Sequence, residues 1–348
     1  MNAVNALNTL NALNTAKAAA LATATALAAT AAALTPAAAA PRPAPAEYVA
    51  IGDSYSANTF VRPWNGGPAD TCGRSLVNYP SQAARRLQVT LTDVTCGAAE
   101  VRAGVLEPQP AEGRYGPNPP QLNALSPTTS LVTIGVGGNS LGFEDILREC
   151  LARGLGALGF GKPCTTYYTQ RDGAAWLSQK FADLDADYTA MLKAVHQRAP
   201  RAKVALVGYP AIVGSNATTN TGCTWGQWRR FGTVAKGDMP WLDSVERRLN
   251  DLIRNQATQA GHAYVDTYTP SAGHGVCAPS GQKWIYGVKD DLTGEGTQQD
   301  DRPLPSCALI PGDGEACTFI HPNANGARSQ ADAVTAALIG LGAAARPS

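Results

Sequence analysis

EYVAIGDS, residues 47–54, runs from an apolar stretch into a turn that carries a serine. Such a run reads as a buried strand ending at a turn. Four further runs of the same kind follow: VTLTDV (89–94), SLVTIGVG (130–137), KVALVGYP (203–210) and AYVDTY (263–268). Helical patterns lie between them, over about 78–88, 141–154, 173–198 and 240–260, with a last one at 324–340. In the third, apolar residues at 177, 181, 184, 188, 191, 192 and 195 make one stripe, which implies core packing. Strands alternating with helices predict an α/β fold, a five-stranded parallel sheet covered on both faces. Ligands of such sheets bind beyond the carboxyl ends of the strands. The segments that matter are therefore GDSYSA after Gly52, TCGAAE at 95–100, GVGGNSLG at 135–142, and TFIHPNANG at 318–326.

Outside this alternation the chain begins differently. Residues 1–40 hold a repeated NALNT, a single Lys17, an Ala/Leu/Thr run and a small-residue stretch before Pro41. Charge, apolar segment and small residues in that order are the layout of an export signal. Thr interrupts the run and no second apolar span follows, so no stable membrane anchor is expected. Residues 41–348 are expected to form one domain. Eight cysteines all lie after the leader and none makes a Cys-x-x-Cys pair, which favours disulfides in an oxidising compartment over a zinc site. Sequence alone does not choose among the pairings. The net charge of +1 comes without a basic run, which argues against nucleic acid as a partner. Secretion is expected, with no metal and no cofactor.

Each strand exit has a plain reading and a chemical one. Ser54 can cap the following helix, or expose a nucleophilic hydroxyl beside free helix N–H groups. The segment is not a Gly-x-Ser-x-Gly elbow, because Ser56 stands where the final glycine would be. Gly137-Gly138 lets the backbone turn sharply, so that the Asn139 amide can face the same mouth as Ser54. A dinucleotide fingerprint there would lack its third glycine. The chain has four histidines, and His321 is the one beside a candidate strand exit. His196 and His262 fall in polar helical company, and His274 in a loop.

Taken in order, GDS-Y-S, Gly97 after the second strand, GGN at 137–139 and His321-Pro-Asn resemble the SGNH (GDSL-type) hydrolases, closest to the secreted actinobacterial lipases and esterases. The resemblance covers essentially the whole chain after the leader. It implies a three-layer α/β/α sandwich of flavodoxin-like type and hydrolysis of carboxylic esters. By that resemblance Ser54 is the nucleophile and His321 the base, while Ser54 N–H, Gly97 N–H and the Asn139 amide form the oxyanion hole. It also implies disulfides Cys72–Cys96, Cys150–Cys164 and Cys223–Cys277, with Cys307–Cys317 additional.

Two positions depart from the family pattern. GGND reads GGNS, so Ser140 replaces an aspartate, and Asp-x-x-His reads Thr318-x-x-His321, so the usual carboxylate on the base is missing. A few members work as a Ser–His dyad, which implies that the Thr318 backbone carbonyl orients His321; the rival is Asp313 or Glu315 folding back. A carbonyl fixes the tautomer but stabilises imidazolium less than a carboxylate does. The partner expected is a small-molecule or lipid ester, acted on by a monomer. The runner-up readings are a carbohydrate O-acetylesterase and a non-catalytic binding protein on the same fold. Phe60 and Trp64, just past the nucleophile, are candidates for the walls of an acyl pocket or for core packing alone, and Asn216-Ala-Thr218 matches the glycosylation pattern.

Overall fold

The apolar strand runs pair side by side in one sheet, in the order β2-β1-β3-β4-β5 with every neighbour parallel. The computed structural model describes residues 46–65, 71–111, 116–214, 223–279, 281–290 and 316–343. In chain order its elements are β1 (Glu47–Gly52), α1 (Ser54–Ala57), α2 (Tyr79–Leu87), β2 (Thr90–Asp93), β3 (Leu131–Gly135), α3 (Gly138–Leu141) and α4 (Phe143–Gly156). They continue with α5 (Pro163–Gln170), α6 (Asp172–Arg198), β4 (Lys203–Val207), α7 (Met239–Gln259), β5 (Ala263–Val265), α8 (Tyr268–Ser271), β6 (Lys289–Asp290), β7 (Ala316–Cys317) and α9 (Ala324–Gly340).

Both faces of the sheet are covered, which is why β1, β3 and β4 are buried almost along their whole length, while the edge strand β2, TLTD, stays partly exposed. Val49, Ile51, Val132, Ile134, Val204 and Leu206 face one core, into which the α6 stripe Leu177, Phe181, Leu184, Tyr188, Met191, Leu192 and Val195 also packs. Tyr48, Ala50, Leu131, Ala205 and Val207 face the other, against Ala83 and Leu87 of α2 and Ala331, Val334 and Leu338 of α9. The result is a three-layer α/β/α sandwich with the flavodoxin-like strand order.

Two helical details differ from expectation. The helix expected over 141–154 is α4 and starts two residues later, because Gly142 sits at φ 78° and separates it from the short helix α3. Helix α5 was not visible as a pattern: PCTTYYTQ has Pro at its first position and little apolar periodicity. Its first turn is held instead from outside, by the Asp238 carboxylate, which accepts from the Cys164 and Thr165 N–H groups. Disulfides join Cys72 to Cys96, Cys150 to Cys164 and Cys223 to Cys277. Cys317 is also disulfide-bonded, while Cys307, Asp313, Glu315 and the 216–218 triplet lie outside the described residues.

The strand order reverses at β1, whose neighbours are β2 and β3, and a crevice opens beyond the strand ends at such a switch point. Gly52 pairs with Gly135, so the turns after β1 and β3 emerge next to each other.

Candidate active site

The turn after β1 is built around close backbone approach. A side chain at Gly52 would stand 2.4 Å from Ser56 and 2.8 Å from the Gly135 carbonyl, so only glycine fits. The Gln121 side chain clamps the same residue, accepting from Gly52 N–H at 2.8 Å and donating to its carbonyl at 2.9 Å. Asp53 then caps α1 by accepting from Tyr55 N–H at 2.9 Å, and Asn58 ends the helix in the left-handed region. This leaves Ser54 on the first residue of α1 with its side chain at the crevice.

His321 arrives from the other end of the chain. Its Nε2 lies 2.7 Å from Ser54 Oγ, and its Nδ1 lies 2.8 Å from the Thr318 carbonyl and 3.1 Å from the Phe319 carbonyl. Phe319 and Ile320 both have positive φ, 41° and 61°, and that tight turn points two carbonyls back at the ring. Three anchors hold the turn: Thr318 Oγ1 donates to the Gly287 carbonyl, Tyr55 OH donates to the Ile320 carbonyl, and Tyr286 N–H donates to the His321 carbonyl. Tyr55 and Phe60 wall the imidazole, with ring centroids at 4.7 and 4.8 Å. Burial pushes the His321 pKa down to about 4, and the two carbonyl contacts only partly oppose it. The ring is therefore neutral at pH 7, with its Nδ1 proton toward a carbonyl and Nε2 free to accept from Ser54.

The turn after β3 supplies Asn139. Gly137, at φ 136°, starts α3, and the Asn139 amide donates to the Ala99 carbonyl at 3.0 Å. An amide has two N–H groups, so one remains for a ligand oxygen. Ser140, in place of the family's aspartate, accepts from Val101 N–H at 2.9 Å. Asn139 and Ser140 thus tie α3 to the loop after β2.

The Gly97 N–H expected as a donor has a backbone partner in this structure. It donates to the Cys72 carbonyl at 3.0 Å, and the Gly97 carbonyl accepts from Gln109, so the disulfide-linked segment has already taken that group. The next residue, Ala98, lines the crevice with φ 60°, and its N–H has no partner among the described residues. A left-handed alanine in a Cys-Gly-Ala-Ala stretch was the one available sign, and it is visible only in the backbone.

Three groups escaped the sequence reading. Tyr209 OH bonds to the Asp53 carboxyl, in a short contact, and accepts from Gly138 N–H at 2.7 Å; it thereby links the turns after β1 and β3. Burial raises the Asp53 pKa to about 6 against the lowering effect of that hydroxyl. Glu246 of α7 accepts from Ile212 N–H at 3.0 Å, and burial raises its carboxyl well above the usual range. These polar residues sit inside apolar patterns, where a sequence gives no hint of their partners. Conversely, Trp64 bonds to the Thr59 carbonyl away from the crevice, and His274 stacks on Trp284.

Beyond Ser54 the crevice deepens into a cavity of about 630 Å³. Its walls are largely apolar, with Phe60, Leu141, Phe143, Ile146, Phe231 and Leu249 among them. Among the described residues no group of three or more metal-ligating side chains converges, and no helix is long and apolar enough to cross a membrane.

Known proteins resemble this chain in sequence and in fold. Residues 50–328 match the GDSL-like Lipase/Acylhydrolase family. Lipase 2 of Streptomyces coelicolor is 35% identical over 288 residues, 82% of this chain and 83% of its own. An esterase of Streptomyces scabiei is 32% identical over 266 residues, 71% of this chain and 76% of its own. In fold, phospholipase A1 from Streptomyces albidoflavus NA297 superimposes with a TM-score of 0.56 at 23% identity, covering 85% of this chain and 99% of that one. An extracellular lipase from Streptomyces rimosus does so with a TM-score of 0.55 at 24% identity, covering 85% and 99%. A family match across most of the chain and relatives above 30% identity, with Ser54 and His321 brought into contact, point the same way: the chain belongs to the GDSL-like lipase/acylhydrolase family and is a carboxylic ester hydrolase.

Proposed function

We propose that the chain is a secreted serine esterase or lipase that works through a Ser54–His321 dyad on esters of medium to long acyl chains. The observation that carries the dyad is the 2.7 Å approach of His321 Nε2 to Ser54 Oγ, with Nδ1 on backbone carbonyls. In this mechanism His321 takes the Ser54 proton as Oγ adds to the ester carbonyl carbon. The tetrahedral oxyanion is received by Ser54 N–H, Ala98 N–H and the remaining Asn139 N–H. The imidazolium, its Nδ1–H directed at the Thr318 and Phe319 carbonyls, gives its proton to the leaving alcohol. Water then repeats the cycle on the acyl-enzyme.

The large apolar cavity favours a fatty acyl group over the acetyl group of the carbohydrate O-acetylesterase alternative. Burying one methylene is worth about 0.8 kcal/mol, so kcat/KM is expected to rise up to roughly fourfold per added methylene until the cavity is full. A panel of esters from acetyl to long acyl chains, run beside Ser54→Ala, tests both points. Highest kcat/KM on acetyl esters would favour the O-acetylesterase, and hydrolysis that survives Ser54→Ala would remove Ser54 as nucleophile. No hydrolysis of any ester would leave a binding protein.

The reading takes residues 1–40 as an export leader and residues 41–348 as one domain acting as a monomer, and three disulfides with a fourth bonded cysteine support the secretion. N-terminal sequencing of protein recovered from the culture medium tests it; an intact N-terminus confined to the cell would oppose it.

A further inference from the structure

Among the described residues, six large apolar side chains stand well out in solvent, and four of them share one place. Leu155, Leu158 and Phe160 are 57, 64 and 76% exposed, and Trp225 is 41% exposed. The Trp225 ring lies over Gly159, where an added side chain would approach it to 2.8 Å. All but Trp225 sit on the loop that the Cys150–Cys164 disulfide closes.

Frayed helix ends also expose apolar groups, but this loop is anchored. Gly154 packs so tightly that a side chain there would meet the Thr233 carbonyl at 2.0 Å, and Thr233 Oγ1 donates to the Leu151 carbonyl at 2.7 Å. Tight turns follow, with Leu158 N–H on the Leu155 carbonyl and Gly159 N–H on the Gly154 carbonyl. The glycines at 154, 156, 159 and 161 add no side chains that would shield the apolar ones. Between Cys150 and Cys164 stand two cations and no acidic residue: Arg153, which pairs with Glu149 just before the loop at 2.6 Å, and Lys162. Lys236 adds a further cation, because its neighbour Gly237 packs against Gly161 and Lys162. Lys162 and Lys236 are both exposed.

The patch and the substrate cavity share structural elements. Helix α4 lines the cavity with Phe143, Ile146 and Leu147 in its first turns and runs out into the apolar loop. The segment carrying Trp225 also carries Phe231 of the cavity wall, whose N–H donates to the Cys223 carbonyl.

We propose that Leu155, Leu158, Phe160 and Trp225 form a docking surface for the anionic face of a lipid aggregate, which holds the enzyme where its ester substrate is dissolved. This rests on reading that substrate as a lipid ester. Leu, Phe and Trp supply the apolar area that enters the interfacial zone, and the flanking lysines meet the anionic headgroups.

The test is cosedimentation of the oxidised full chain with phosphatidylcholine vesicles, with and without phosphatidylglycerol. Wild type is expected to partition onto vesicles, more strongly when phosphatidylglycerol is present. Leu158→Ser and Phe160→Ser are each expected to weaken partitioning by about tenfold or more, and the Lys162→Gln, Lys236→Gln pair to remove the preference for phosphatidylglycerol. Hydrolysis of a soluble butyrate ester by the same preparations reports folding and, separately, the dyad. If that hydrolysis is absent, the enzymatic reading fails while the vesicle result still decides the surface. Wild type that stays in the supernatant, or apolar variants that bind as wild type does, would overturn the proposal. A wild-type dimer that Phe160→Ser dissociates would overturn it in favour of a second copy of the chain.

Discussion

Acidification tests the carbonyl-braced base most directly. Burial lowers the His321 pKa from 6.5 to about 4, which disfavours the imidazolium in the free enzyme by about 3 kcal/mol. At about pH 5.5 an ordinary imidazole is about nine-tenths protonated and a base of pKa about 4 is almost wholly neutral. The acid limb of kcat/KM, which reports the free enzyme, is therefore expected near pH 4, with activity on a soluble ester nearly undiminished at about pH 5.5. Stability is the poorer readout, as the signs make clear. Because the folded pKa of His321 is depressed, its stability is full above 6.5 and is lost as pH falls from 6.5 toward 4. Asp53, raised from 3.8 to about 6, acts in reverse: its stability is full at low pH and is lost as pH rises through that window. Glu246, raised as well, acts in the same sense as Asp53. Initial rates across pH 3.5 to 8, roughly the span these groups cover, are the assay. An acid limb at 6.5 or above, where a carboxylate-braced histidine would titrate, would refute the reasoning and point to Asp313 or Glu315.

Ala98→Gly is expected to raise the denaturation midpoint by an amount equivalent to about 1 kcal/mol, by relieving the left-handed alanine, with kcat preserved because the N–H remains. A large fall in kcat would mean that the methyl group itself shapes the site. Tyr209→Phe keeps the ring but strips the Asp53 carboxyl and Gly138 N–H of a shared partner, and equilibrium unfolding is expected to show a loss of about 2–4 kcal/mol. A change under about 0.5 kcal/mol would show that the two turns hold without it. Thr318→Asp puts a carboxyl where a hydroxyl now donates to the Gly287 carbonyl in a fully buried site, so stability at neutral pH is expected to fall by about 1–3 kcal/mol without a gain in kcat. A tenfold gain in kcat/KM would mean that the introduced carboxylate reaches Nδ1.

Much of this protein was legible in the chain itself. Strand and helix periods respond to burial, and burial writes a pattern of two residues or of three to four that needs no partner to be seen. The largely apolar runs at 48–52 and 131–135 announced a sheet covered on both faces, and the α6 stripe announced the helix that covers one of them. Ser54 and Asn139 lay in motifs at the exits of β1 and β3, and the parallel topology sends such exits to one edge; His321 follows β7, outside the parallel sheet.

What only the tertiary structure decided were pairings across long separations in sequence. Whether Gly97 or Ala98 offers an N–H depends on the Cys72 carbonyl, brought there by a segment more than twenty residues away. What faces His321 Nδ1 depends on two left-handed residues, Phe319 and Ile320, which no propensity favours and which the contacts of Thr318, Tyr55 and Tyr286 impose. Nothing in the sequence around Tyr209 and Glu246 indicates that they meet Asp53, Gly138 and Ile212. A sequence records what each residue is and how often its kind recurs. Which hydrogen-bonding group is already spent, and which is left for a substrate, is settled only when distant backbone is packed into the same few ångströms.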